Sequence, residues 1–352
     1  MKLFSPFRMR EIELKNRIVV SPMCEYSAKD GHPQPWHLVH LGSRAIGGAS
    51  LVFTEATAVE ERGRISRADT GIYKDEHVES WRPIAEFIRS HGAVPGMQLA
   101  HAGRKASTAP PWTGGKPIAR EDGGWEPVGP STLAFDAGYA VPHELSKLEI
   151  REIVAAFRKS AERAIAAGFE VIEIHAAHGY LLHQFLSPLS NTRPDEFGGT
   201  FENRIRMTLN VVRGIREVWP QSSPLFVRVS ATDWKEGGWD LAQTIALAKQ
   251  LKPIGVDLID ASSGGAVPGV KIPLGPGYQT GFAEAIRRES GIATGAVGMI
   301  TEPAQAETIL STEQADLVFL ARELLRDPYW PRRAAKALDV RIKAPVQYER
   351  AW

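Results

Sequence analysis

Short runs of β-branched and apolar residues alternate along the chain with longer amphipathic stretches. The runs are "RIVVSPM", "SLVFTEA", "VPGMQLA", "EVIEIHA", "LFVRVS", "DLIDAS", "IATGAVG" and "LVFLAR", and their length and composition predict eight strands. The clearest helical pattern between them is "LSKLEIREIVAAFRKSAERAIAAGFE". There Ser146 and Glu149 have capping-box spacing, apolar residues recur at helical period, and Gly168 supplies the stop. Asp240 and Thr301 are expected N-caps of later helices. Strand-then-helix alternation predicts a parallel α/β sheet. Eight such units predict closure into a single (β/α)8 TIM barrel spanning residues 1–352.

Three segments fall outside this rhythm. Residues 1–17 read as a cap before the first strand, and 339–352, "DVRIKAPVQYERAW", as a C-terminal tail. Residues 101–148, rich in Gly, Pro and Trp, separate the third strand from the next helix. Structureless loops beyond ~15 residues are usually functional or disordered, and a position after a strand places this one as a lid on the barrel's upper face. Were it an interdomain linker, neither flank would have enough strands to close its own sheet.

Composition narrows the function. The chain has 352 residues, 43% hydrophobic and 24% charged, which is globular usage with material for a large core. A formal net charge of +1, with both signs spread through the sequence, provides no electrostatic footprint for nucleic acid or an anionic membrane. Small-molecule chemistry is therefore expected. The N-terminal stretch lacks an apolar signal region, and no apolar run approaches the ~18 residues of a membrane span, so a cytoplasmic protein is expected. Cys24 is the only cysteine, which excludes an internal disulfide and an all-cysteine zinc or iron–sulfur site.

The carboxyl ends of the expected strands carry Cys24, Ala56 after Glu55, Gln98, His175, Arg228, Ser262, Gly298 and Arg322. In a barrel these ends converge on one mouth. Burying unpaired Arg, Gln or His costs several kcal/mol, so their convergence points to a ligand with a polar edge of its own. "GAVGMITEP" and "FLARELLRDP" add a glycine, two helix starts and the Arg322 fork, the components of a phosphate cradle in the last two units. An ordinary turn with a surface arginine is the alternative. "EVIEIHAAHGYLLHQFLSP" collects His175, His178, Tyr180 and His183 and leaves three readings open: a metal site, a carbonyl-binding or proton-transfer site, and ordinary packing. His183 is expected on a later helical segment, away from the His175/His178 pair.

Several of these motifs together resemble the old yellow enzyme family: "NRIVVSPMCEYSAKDG", "GMQLAHAGRKA", "IHAAHGYLLHQFLSPLSNTRPDEFGGTFENR", "AVGMI", "ARELLRDP" and "PVQYERAW". Cys24, the histidine pair and the short tail are similar to the bacterial xenobiotic-reductase or thermophilic-like subclass of FMN-dependent ene-reductases. The resemblance implies bound FMN, NADPH or else NADH as reductant, and reduction of activated C=C bonds in α,β-unsaturated carbonyl substrates by a ping-pong cycle. It places Ser21, Pro22, Met23, Cys24, Ala56, Gln98, Arg228, Gly298, Ala321 and Arg322 against FMN. Within that set Gln98 meets the pyrimidine edge, Arg228 the N1/O2 side, and Cys24 tunes the flavin without forming an obligatory covalent bond. His175 and His178 would hold the substrate carbonyl, Tyr180 would supply a proton, and Tyr26 would lie on the substrate side. No metal is implied. The resemblance also implies a homodimer or dimer of dimers in which Arg350 enters the neighbouring protomer's pocket, with Tyr348 and Trp352 as tail anchors. A nicotinamide visiting the flavin is consistent with the lack of a GxGxxG fingerprint after a strand.

For single residues, simpler roles remain open: a buried ion pair for Arg228, packing for Ala56 and Tyr26, and a surface ion pair for Arg350. For the whole chain, two alternatives remain: a flavin-free metal-dependent barrel hydrolase using His175, His178 and an acidic residue, and a non-catalytic flavin- or phosphate-ligand protein.

Overall fold

Eight parallel strands close into a barrel in the computed structural model, which describes residues 1–351. They are β1 Ile18–Val20, β2 Leu51–Ala58, β3 Val94–Ala100, β4 Val171–Ala176, β5 Leu225–Ser230, β6 Leu258–Ser262, β7 Ala293–Val297 and β8 Leu317–Leu320. Each pairs with its sequence neighbour, and β8 returns to β1 through Val318↔Ile18, Phe319↔Val19 and Leu320↔Val20. All eight expected runs are strands of this barrel. Around it lie the helices α1 Pro35–Gly47, α2 Glu76–Ser90, α3 Lys147–Ala166, α4 Arg206–Arg216, α5 Leu241–Leu251, α6 Thr280–Ser290, α7 Pro303–Ser311 and α8 Trp330–Ala337.

The caps follow local chemistry. Ser146 accepts the Glu149 N–H while Glu149 returns a bond to the Ser146 N–H, and Asp240 accepts the Gln243 N–H. Thr301 is not the cap of α7. Glu302 holds that place with extended dihedrals because Pro303 occupies the first helical position and pushes its predecessor out of the helical region. The Thr301 carbonyl instead accepts the Trp330 indole N–H at 2.7 Å.

The period-2 alternation of each strand builds the barrel interior in layers. The lower layer is apolar: Val19, Leu51, Phe53, Val171, Phe226, Leu258, Leu317 and Phe319 pack together, with Phe53 lying 5.9 Å from Phe226 and 6.2 Å from Phe319. Gly295 provides room for this layer, since a Cβ there would come within 2.3 Å of the Phe319 ring. An antiparallel pair, Phe7–Met9 with Ile12–Leu14, closes the bottom with Met9 and Leu14, so residues 1–17 form the expected cap. Two residues further along the same strands the side chains turn polar.

Residues 101–148 carry short turns and a two-residue pairing of Val128–Gly129 with His143–Glu144. They are tied down at several points: Arg104 donates to the carbonyls of Ala266 at 2.7 Å and Leu133 at 3.1 Å, and the Trp125 indole donates to Arg62 O at 2.8 Å. The tail folds under the barrel, where Arg332 donates to Lys343 O at 3.3 Å and Val346–Ala351 forms a 3-10 turn. Trp352, an expected anchor, lies outside the described residues.

Candidate active site

Above the aromatic layer the inward-facing positions are Gln98, Glu173, Arg228 and Asp260, all buried. Strand register sets them side by side, Gln98 against Glu173 and Arg228 against Asp260. The Gln98 amide donates to Glu173 Oε1 at 2.7 Å, which turns its carbonyl end away from that carboxylate. Arg228 Nε stands 3.0 Å from Asp260 Oδ2, close enough for an ion pair but off the N–H direction, so neither atom gains a hydrogen bond. The buried ion pair held open for Arg228 is therefore present. Burial, together with the charge of Asp260, pushes the Glu173 carboxyl well above its ordinary value, and burial raises Asp260 to about 6. One guanidinium cannot neutralise two buried carboxylates, so this layer holds at least one proton at neutral pH.

At the ends of β4, β5 and β6 the histidines are held from several sides. His175 Nδ1 accepts the Ala177 N–H at 3.2 Å. His178 has φ of +57°, its backbone N–H donates to Ser230 Oγ at 2.9 Å, and its Nε2 lies 2.7 Å from Ser262 Oγ. The two rings are 5.1 Å apart and nearly perpendicular, and Tyr180 packs edge-on against His175 at 5.0 Å. Burial, with Arg228 next, holds both imidazoles well below the ordinary histidine range, so they are neutral at pH 7. Burial raises the Tyr180 phenol, which keeps its proton. Lys105 fixes the turn from the lid side by donating to His178 O at 2.9 Å and Gly265 O at 3.3 Å.

His183 is separate from the pair, as expected, on the Leu181–Leu186 helix. Its Nδ1 accepts the Gly179 N–H and its Nε2 reaches Asp233 Oδ1, both at 2.8 Å. With that ring committed, the hydrolase alternative lacks a third ligand beside the pair; among the described residues no three His, Cys, Asp or Glu side chains are grouped to hold a metal ion.

Cys24, Tyr26 and Tyr180 pack with Ile65, Ala102 and Trp125 into an apolar wall. Burial, then Asp69 and Glu55, pushes the Cys24 thiol well up, the opposite of what a thiolate nucleophile requires. Tyr26 adopts φ of +45° and packs edge-on against Trp112. Ala56 pairs in register with Gln98.

Across the mouth, Gly298 has φ of +124°, and a Cβ there would meet Tyr278 at 2.9 Å and Gln279 at 3.0 Å. Gly277 N donates to Gly298 O at 3.0 Å, the Gln279 side-chain amide donates through Nε2 to Val297 O at 2.9 Å, and Ser263 Oγ donates to Gln279 Oε1 at 2.6 Å. Arg322 begins the short Arg322–Arg326 helix just after Ala321, is exposed, and acts electrostatically on Tyr278 together with Arg228.

These residues fit FMN. A buried Ser21 Oγ has no partner directly after β1, Gln98 presents an amide carbonyl, a guanidinium lies among carboxylates able to hold its charge, and a glycine turn with an exposed arginine suits a phosphate dianion. Sequence reasoning missed Glu173, Asp260, Lys105, Ser230, Ser263, Tyr278 and Gln279. Strand alternation carried a signal for Glu173 and Asp260, each two residues from an inward-facing position; the others needed the fold. Arg350 is exposed on the tail.

The model of the NADH:flavin oxidoreductase / NADH oxidase family matches residues 2–340. The chain is 51% identical to an NADPH dehydrogenase of Bacillus licheniformis over 353 residues, covering 100% of this chain and 99% of that protein. It is 50% identical to an NADPH dehydrogenase of Bacillus subtilis, with 100% and 99% covered. Among solved structures it is similar to morphinone reductase in complex with tetrahydroNAD (TM-score 0.79, 27% identity, 97% of this chain and 92% of that one). It is also similar to a 2-naphthoyl-CoA reductase in complex with 2-naphthoyl-CoA (TM-score 0.87, 26% identity), where it covers 96% of itself but 52% of that chain. Full-length identity to curated relatives, the family match and the barrel agree: the chain belongs to the NADH:flavin oxidoreductase / NADH oxidase family, the old yellow enzymes, and is an FMN-dependent NAD(P)H oxidoreductase.

Proposed function

We propose that this enzyme reduces the activated C=C bond of α,β-unsaturated carbonyl compounds, with NADPH as the preferred reductant. The carrying observation is the pair of buried, neutral imidazoles, His175 and His178, 5.1 Å apart at the barrel mouth beside Tyr180. Bound FMN supplies the two-electron carrier between nicotinamide and substrate.

The chain's own residues do the rest. Two imidazole N–H donors grip the substrate carbonyl oxygen and polarise the conjugated bond, and they strengthen their hold as enolate charge develops. Tyr180, still protonated, donates to the α-carbon. Tyr26 and Cys24 form the apolar side of the pocket, and the raised thiol favours tuning and contact over covalent attack. Ser21, Pro22, Met23, Cys24, Ala56, Gln98, Arg228 and Ala321 line the ring site, while Gly298 and Arg322 hold the phosphate. Residues 101–148 cover the mouth of what we take to be one FMN-binding unit from 1 to 352, working in the cytoplasm. Among the described residues, no helix is long and apolar enough to cross a membrane.

The working unit is a homodimer or dimer of dimers. Beside Cys24 opens a cleft of about 650 Å³ lined by Trp36, Val39, Trp112, Leu325 and Glu25, of which the first four are 45–67% exposed. The tail presents Val346 and Tyr348, 72% and 42% exposed, next to Arg350. The exposed apolar residues of a second copy's tail match those of that cleft, whose polar lining includes Glu25, His40 and Arg44.

The test is spectral. Flavin bands should bleach with NADPH and return with an enone. The His175→Ala/His178→Ala variant should keep its flavin and its bleaching yet lose phenol binding, a phenolate being an enolate mimic. Enone reduction at the wild-type rate in that variant would reject the assignment.

A further inference from the structure

The two histidines obtain their tautomers by different means. His175 Nδ1 accepts a backbone N–H from Ala177, so its neutral ring carries the proton on Nε2. His178 receives no such bond from the backbone. Its ring meets a single hydroxyl, Ser262 Oγ, 2.7 Å from Nε2. Ser262 ends β6 and stands in register with Ser230, which ends β5. The two serines divide the work. Ser230 Oγ accepts the His178 backbone N–H at 2.9 Å and donates to Gly264 O at 2.8 Å, so it fixes the main chain, while Ser262 addresses the ring.

A hydroxyl is able to donate to Nε2 or accept from it, and the choice has a chemical consequence. Were Ser262 to accept, His178 would present an unprotonated nitrogen at Nδ1, whose lone pair repels a carbonyl oxygen. Were it to donate, the ring proton would sit on Nδ1 and both histidines would present N–H groups. We propose that Ser262 is the positioning residue that selects the tautomer of His178, its Oγ–H donating to Nε2 so that Nδ1–H remains for the substrate oxygen. This rests on the carbonyl-binding reading of the pair and adds a residue that touches neither substrate nor the reacting atoms.

The test uses the FMN-loaded enzyme with 15N-labelled histidine, with 4-chlorophenol as the probe. In wild type the His178 resonances should show a protonated Nδ1 and an Nε2 accepting a hydrogen bond. Ser262→Ala should mix the two tautomers and weaken phenol binding about tenfold, the scale of one neutral hydrogen bond, while Ser262→Thr restores both and FMN retention is unchanged. A wild-type spectrum with the proton on Nε2 overturns the proposal, whatever the variants do. Unchanged phenol affinity and Nδ1 protonation in Ser262→Ala also overturn it and leave the carbonyl-binding reading intact. That reading fails separately, if His175→Ala/His178→Ala still binds the phenol as wild type does.

Discussion

Replacing Asp233 with Ala should cost far more stability than losing an exposed ion pair would. Its carboxylate and His183 are both 0% exposed, paired at 2.8 Å. It also accepts Ser187 Oγ at 2.6 Å and the Trp239 N–H at 2.8 Å. Three bonds to one charged acceptor at ~1.5–3 kcal/mol each overcount, because they share its desolvation. Removing one partner of a buried pair typically costs ~3–5 kcal/mol, and that is the expected loss.

The damage should also reach the site. His183 Nδ1 accepts the Gly179 N–H, so an unanchored ring frees the turn that carries His178, and phenol affinity should fall with stability. Chemical denaturation at pH 7, with phenol titration of the folded variant, reads both. The pH dependence has a definite sign. Burial alone would raise the Asp233 carboxyl, but its interaction with His183 and the hydrogen bonds it accepts from Ser187 and the Trp239 N–H outweigh that and hold it below its ordinary value. A depressed carboxyl stabilises fully above its unfolded value of ~3.9 and loses that contribution as pH falls through the folded value. The gap between wild type and variant should therefore narrow below about pH 4. A loss under ~1 kcal/mol at pH 7, the range of an exposed pair, would refute the reasoning.

Arg322→Ala should raise the FMN dissociation constant about 10- to 150-fold, the equivalent of ~1.5–3 kcal/mol for a charge-assisted contact; an unchanged constant by flavin fluorescence would reject the cradle. Gly179→Ala should destabilise by more than ~3 kcal/mol in thermal unfolding, through strained backbone and steric overlap, because φ is +73° and its Cβ would come within 2.0 Å of Gly265 O. Gly237→Ala, with φ of +74° and open space around it, should cost only ~1–2 kcal/mol; equal losses at the two sites would show that the overlap is irrelevant. A mixed dimer of one Arg350→Ala chain and one His175→Ala/His178→Ala chain should keep one intact site if the arginine acts in trans. Turnover near that of the mutant homodimers would place it in cis.

Much of the architecture was legible because it is local. Period-2 runs, a capping box at Ser146 and Glu149, and an aspartate cap at 240 depend on neighbours within a few residues, and eight strand–helix units leave little choice of topology. Thr301 shows the limit even there: a threonine before an apolar run is an ordinary cap signal, and Pro303 overrode it by constraining Glu302. The motifs also carried the outline of the barrel mouth, since residues at strand ends share one mouth in any closed parallel barrel.

What the tertiary structure decided was partnership. Alternation sends Arg228, Asp260, Glu173 and Gln98 inward but does not say that Arg228 faces Asp260 while Gln98 holds Glu173; register between strands 30 to 80 residues apart does that. Nor does sequence spacing tie His183 to Asp233 across 50 residues, His178 to Ser262 across 84, or bring Gly265 against Gly179. A side chain's type and face follow from its own strand or helix. Its charge state, tautomer and hydrogen-bond partner depend on which distant segment the closed barrel brings beside it, and those contacts exist only once the chain has folded.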